Sequence, residues 1–390
     1  MNSRERVIAA LEHRAVDRLP LGFFAVDHDT VSKVLGRETY LRAKARSQIA
    51  LWEGRRDEVA QSWREDAIEF YSRIELIDIV PVHAMASSVL PPADYEPESP
   101  ERIAGDTWRD SAGRIYKYSP RTEDITCIED PELAASTFAP EDFPVPDRID
   151  PPDPSCFEVV DAVIGAFRGE RFVIGPSGNE ASMILLGDNY ERGLLEFALN
   201  PSAVKAAHCR ALAVGRMEDD YYIRPGQDAV LWGMDFSYNS GPMISPETFR
   251  DICLPNIKAR VKSAHGRGLK VVKHACGNNN LLLKYFIEAG YDCYQSIQKS
   301  AGMDLESLRR EYGGEIALWG GVQLEHLVAG TPEQVRSDVE AAFRIATGPG
   351  GGGGGGFILG TSHSVAVGTG YDNFMAMLDQ FQKLNQSYFG

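Results

Sequence analysis

Eight short apolar runs, separated for the most part by stretches of helical periodicity, restrict this sequence more than any other feature. They are LPLGFFAV (19–26), LIDIVPV (76–82), RFVIG (171–175), AVLWGMD (229–235), LKVVKH (269–274), DCYQSI (292–297), IALWG (316–320) and FILGT (357–361). Helical patterns predict helices over 56–70, 157–168, 189–199 with 202–222, 246–264, 280–289, 304–312, 332–346 and 371–386. Ser245-Pro246-Glu247 and Thr331-Pro332-Glu333 each set a cap residue, a first-turn proline and an early acid in order. Strands that alternate with helices are joined by crossovers and lie parallel. Eight such units predict an α/β fold of the closed (β/α)8, or TIM barrel, type. An open doubly wound sheet usually carries a glycine-rich phosphate loop after its first strand. Here the first run is followed by DHDTVSKVLG, which has none.

One region breaks the alternation. Residues 105–127 read as a β-hairpin turning at Ser111-Ala112-Gly113, and a proline-rich stretch follows at 140–154. The expectation is a single barrel domain over 1–390, with 84–155 inserted between the second and third strands. Such an insertion could act as a lid or as a contact in a homodimer. The seven consecutive glycines Gly350–Gly356 read as a flexible connection into the eighth strand.

Charge and cysteine usage exclude several classes. The chain has 390 residues and a formal net charge of −16, which disfavours nucleic acid and anionic membrane surfaces as partners. No apolar run approaches the roughly 18 residues of a membrane span, and MNSRERVIAALEHRAVDRLP does not read as a signal peptide. Six cysteines without CxxC spacing form no disulfide framework. The expected location is the cytoplasm. Cys127, Cys156, Cys209, Cys253 and Cys293 read as small hydrophobes.

In a (β/α)8 barrel the working residues stand at the C-terminal ends of the strands. On this sequence those ends bring up His28, His83, Asn179, Asp235, Tyr238, His274, Cys276, Gln295, Gln323 and His363. His274 and Cys276 are two apart, so in a strand they share a side. With His363 they could supply the three protein ligands of a catalytic zinc site. The other reading is that they are strand-end groups satisfied by hydrogen bonds. Asp235 reads either as a carboxylate lining the mouth, placing substrate or moving a proton, or as a loop cap. His28, His83, Asn179, Tyr238, Gln295 and Gln323 read as lining for a small-molecule substrate.

The segments GMDFSYNSGPMISPETFRDICLPNIK (233–258), VVKHACGNNNLLLKYFIEAGYDCYQSIQKSAGMDLESLRREYGGEIALWGGV (271–322) and GFILGTSHSVAVGTGYDNFMAM (356–377) resemble the uroporphyrinogen decarboxylase superfamily, and SRERVIAALEHRAVDRLP (3–20) resembles its opening segment. The resemblance covers most of the chain apart from 84–155 and implies a (β/α)8 barrel. It implies one of two chemistries, cofactor-free decarboxylation of tetrapyrrole acetate side chains or cobalamin-dependent methyl transfer. In the methyltransferases an HxC pair on strand five and a cysteine on strand eight bind zinc. His274 and Cys276 match the pair, and His363 stands where the second cysteine is expected. The decarboxylases carry an arginine-rich segment after strand one, whereas this chain has no arginine there until Arg37. An aspartate late in strand two is also expected, and Asp78 comes early. The resemblance therefore favours a zinc-dependent, corrinoid-linked methyltransferase. No DxHxxG is present, so the corrinoid would come on a separate protein. The alternatives are a metal-free decarboxylase, with Asp235 and His363 as acid–base groups, and a ligand-binding barrel without catalysis.

Overall fold

The computed structural model describes residues 1–82, 89–348 and 352–390. Seven of the eight apolar runs contribute strands to one parallel sheet: Ile79–Pro81, Phe172–Gly175, Ala229–Trp232, Lys270–His274, Cys293–Gln295, Ala317–Val322 and Phe357–Thr361. They lie side by side in chain order. Phe172–Gly175, Ala229–Trp232 and Phe357–Thr361 are buried throughout. That is why these strands read as unbroken apolar runs: helices cover one face and core side chains the other. Among the described residues no helix is long and apolar enough to cross a membrane.

The sheet curls until one segment touches both of its edges. Gly22 N–H donates to Leu359 O (3.0 Å) and Leu359 N–H to Pro20 O (2.9 Å), while Asp78 N–H donates to Leu21 O (2.8 Å). This segment belongs to the run 19–26, expected as a full first strand. It makes only isolated bridges, Leu21 to Leu359 and Val26 to Val365. Pro20 has no N–H to give to a ladder, and the indole of Trp319 donates to Gly22 O (3.0 Å), which takes that carbonyl from any neighbouring strand. The approach is close enough that a Cβ on Gly360 would come within 2.5 Å of Gly22 O.

Between the first two strands of the parallel sheet, the chain forms more than the expected hairpin. Glu101–Ala104, Thr107–Arg109, Ile115–Ser119 and Asp124–Glu129 make a four-stranded antiparallel sheet in that order. The anticipated turn joins the middle two strands and is held by Asp110, which accepts from Ala112 N–H (3.0 Å) and Arg114 N–H (2.9 Å). The first outer strand is exposed along its length, so it carries no apolar run to announce it. Trp108 packs against Trp52 of the helix Lys44–Trp52, with ring centroids 5.8 Å apart.

Most predicted helices stand within a few residues of expectation. The helix expected over 246–264 is three pieces, Pro246–Thr248, a π-helical stretch Phe249–Cys253, and Leu254–Gly266. His28 opens a helix, His28–Leu35, and does not end a strand.

The glycine run also departs from expectation. Gly350 and Gly351 lie outside the described residues, but Gly354, Gly355 and Gly356 are buried and packed. Gly356 N–H donates to Ala10 O (2.7 Å), and Arg309 donates to Gly355 O (2.5 Å) and Gly356 O (2.9 Å). Gly354 and Gly356 have φ of 85° and 73°, and a Cβ on Gly355 would come within 2.7 Å of Arg14 O. These three are glycine because the packing admits nothing larger, which corrects the reading of the run as a loose connection.

At the N-terminal end of the sheet, Asp78, Asp228 and Asp292 each stand one residue ahead of a strand. Each accepts a backbone N–H from a neighbouring segment: Leu21 (2.9 Å), Val173 (3.0 Å) and Val271 (2.7 Å) respectively. Each also meets cations. Arg6 and Arg18 bind Asp78, Arg4 binds Asp228, and Lys270 lies beside Asp292, which also bonds the His265 ring.

Candidate metal centre

At the opposite, C-terminal end the polar groups are softer. His274 closes the strand Lys270–His274 and is buried; Cys276 follows two residues later and is half-buried. Cys276 Sγ lies 3.3 Å from His274 Nε2. His363 stands in the turn after the strand Phe357–Thr361, with its ring edge-on to that of His274 at 5.9 Å between centroids. One ligand atom from each of the three residues lies within 4.8 Å of the others. Ligands on a tetrahedral zinc ion sit about 3.5 Å apart, so a small closure would complete the site.

The donor chemistry fits such an ion. Gln295 Oε1 accepts a hydrogen bond from His274 Nδ1, while Gln295 Nε2 donates to Thr361 O (3.2 Å). The second bond orients the amide. The first keeps the ring proton on Nδ1 and leaves the Nε2 lone pair facing Cys276. Phe24 stacks on the same imidazole, with centroids 3.9 Å apart and planes 15° apart. Burial, followed by the charge of Asp235, pushes the Cys276 thiol up to about 12. Its proton then stays on sulfur at neutral pH, within reach of His274 Nε2, at the position a metal ion would take. Burial lowers the pKa of His363, opposed by the charges of Asp235 and Asp27, and so favours the neutral imidazole a metal needs. His363 Nδ1 accepts from Ser364 N–H (2.8 Å). To bind through Nε2, the ring must give up that bond and move its proton to Nδ1.

Asp235 joins this cluster from the next strand's loop. Its Oδ1 accepts from Cys276 N–H (2.6 Å). The loop is gripped at Met234 from both sides, with N–H to Glu180 (3.2 Å) and O from Lys273 Nζ (2.7 Å). Lys273 is fully buried on the face of its strand opposite His274, 4.6 Å above the Phe236 ring, and burial lowers its pKa. It is a support for Asp235.

The remaining sequence candidates are spread out. Gln295 stands behind His274 as described. Tyr238 lies just beyond Asp235 and is 52% exposed. His28 bonds Glu123, in the turn ahead of the strand Asp124–Glu129 (2.6 Å). Asn179 is exposed and its side chain accepts from Ala181 N–H (2.7 Å). Gln323 Nε2 donates to Asp338 (3.0 Å). His83 lies outside the described residues. Two participants escaped sequence reasoning. Phe24 is hidden in an apolar run that reads as core. Ser296, whose Oγ lies 3.4 Å from Cys276 Sγ, adjoins Gln295 and should by strand alternation point away.

Comparison with known proteins gives the family and the fold. The family model for uroporphyrinogen decarboxylase (URO-D) matches residues 131–384, more than half of the chain. A methylated-thiol–coenzyme M methyltransferase from Methanosarcina mazei is 25% identical over 163 residues, and the match spans 40% of this chain and 40% of that protein. The structure of a methyltransferase from Methanosarcina mazei superposes with a TM-score of 0.64 at 15% identity, covering 98% of this chain and 99% of the other. At that identity the likeness concerns the fold.

Proposed function

The chain belongs to the uroporphyrinogen decarboxylase family, and from that premise we propose that it is a zinc-dependent methyltransferase that works with a corrinoid carried on a separate protein. The observation that carries the reading is the meeting of the His274–Cys276 pair with the sequence-distant His363, within 4.8 Å at one end of the sheet. The partial match to a methyltransferase supports the same branch. Zinc bound there would act as a Lewis acid on the methyl-bearing heteroatom or hold a thiol as thiolate. Cys276 gives up its proton on loading, and His274 is already turned to present Nε2. Asp235, fixed by Cys276 N–H and by the grip on Met234, places the small methylated substrate or takes its proton. Asn179, Tyr238, Gln323, His28 and His83 are proposed to line the approach.

The supporting frame is a closed (β/α)8 barrel over 1–390 with 84–155 inserted, in which Pro20–Gly22 fills the eighth position by bridges. A cytoplasmic location and a homodimer belong to the same proposal.

Elemental analysis tests the reading. Purified protein should hold about one zinc per chain, and Cys276→Ser should weaken retention at least a hundredfold, since its sulfur is the softest donor and the one anionic ligand. Stoichiometric zinc surviving in a His274→Ala, Cys276→Ser double variant would remove the site. Zinc-free protein that decarboxylates a carboxylated substrate would establish the lyase alternative.

A further inference from the structure

We infer that Gln295 and Ser296 act together as a clamp that presets His274 and Cys276 for metal, an inference that rests on the reading of that pair as ligands. The parallel register places Gln295 directly opposite His274. His274 ends its strand and Cys276 follows two residues on, with its Sγ 3.3 Å from His274 Nε2. Gln295 and Ser296, one apart, should point to opposite sides. They do not, because Ser296 has φ of 86°, a left-handed conformation rare for a serine. That turn swings the hydroxyl back to Cys276 Sγ (3.4 Å) while Gln295 keeps its bond to His274 Nδ1. Each ligand of the pair thus has its own partner from one dipeptide.

The same two side chains reach the third ligand's segment. Gln295 Nε2 donates to Thr361 O (3.2 Å) and Ser296 Oγ to Ser362 O (2.9 Å), two residues and one residue ahead of His363 respectively. Both residues are wholly buried. A scaffold role alone would be served better by glycine at a left-handed position. Backbone strain held at such a place suggests a side chain kept for what it touches. Gln295 fixes which imidazole nitrogen carries the proton, and Ser296 sets a hydroxyl between the sulfur and Ser362 O whose one proton can turn to the sulfur once the cysteine is a thiolate.

The test is chelator competition for zinc on the full chain, beside thermal melting and the cobalt(II) absorption spectrum. Ser296→Gly should melt at or above the wild-type temperature, because strain is relieved, yet bind zinc roughly tenfold to a hundredfold more weakly with a shifted thiolate-to-cobalt band. Gln295→Leu should weaken zinc similarly, and Gln295→Glu, which restores an acceptor for Nδ1–H, should recover most of the affinity. If wild-type protein binds zinc and Ser296→Gly binds it equally well with an unchanged cobalt band, the clamp is wrong and the metal site stands. If wild-type protein binds no zinc, the metal reading falls and the clamp with it.

Discussion

The two ends of the parallel sheet are built from opposite chemistry. At the N-terminal end every strand-leading aspartate described above is matched by a cation and a backbone N–H. Asp78 is wholly buried, yet its carboxylate takes Arg6 at 2.7 Å, Arg18 at 2.8 Å and Leu21 N–H at 2.9 Å. At the C-terminal end the central groups are a neutral thiol and imidazoles held close together, with a left-handed serine behind them. Full pairing fixes geometry and leaves nothing over for a ligand. Soft donors gathered around one point, beside a stored strain, are poised for one. The contrast teaches that the same sheet keeps its fully paired carboxylates at one end and the proposed metal ligands at the other, and three experiments would sharpen or break that separation.

Asp78→Ala should have the largest effect. It leaves two arginines without their shared carboxylate and removes a bond that ties Leu21 to the sheet, which should cost about 4 kcal/mol. Urea unfolding reads the loss, and the folded fraction should still take up metal normally. Metal uptake lost in step with Asp78 would mean that the two ends are coupled.

Asp235→Asn should do the reverse. The amide keeps an acceptor for Cys276 N–H, so melting temperature and zinc content should hold. Methyl-transfer rate should fall on the order of a hundredfold with the loss of one acid–base group. An unchanged rate with a lowered melting temperature would move Asp235 from the chemistry to the scaffold.

Acid should act first through the N-terminal end, and more gently. Burial pushes the Asp17 carboxyl up, but hydrogen bonds from Arg6 and from the terminal ammonium overcome it and hold it down at about 2. A depressed carboxylate contributes stability that is present above its unfolded pKa of about 4 and is lost as pH falls toward 2. Asp17 is 41% exposed, so its share is about 1 kcal/mol after solvent screening. Melting temperature followed from pH 5 to 2 should decline, and Asp17→Asn should flatten part of that decline. An identical profile in the variant would assign the acid sensitivity elsewhere.

Much of this arrangement could be read along the chain, for definite reasons. Seven parallel strands announced themselves because burial on both faces demands continuous apolar runs. Asp235, His274, Cys276 and His363 could be placed near one another because parallel strands end on one side and i, i+2 residues share a face. Misreadings arose where local pattern and tertiary demand part. LPLGFFAV reads as a strand, but Pro20 and the bond from Trp319 leave it isolated bridges, and Phe24 emerges from it to stack on His274. The glycine run reads as slack, but Arg309, Ala10 and Arg14 close over its last three residues.

By itself, then, the sequence determined the kind of fold, the side on which the strand ends gather, and the His274–Cys276 pair proposed as ligands. These follow from periodicity, which acts over a few residues. Only the tertiary structure decided that Gln295 backs His274, that Ser296 turns toward the sulfur, and that His363, 87 positions beyond Cys276, comes within ligand distance of the pair. Strand register sets the first, a single left-handed φ the second, and the curl of the sheet the third. All three depend on how distant segments pack, and no local pattern of apolar and polar residues encodes that.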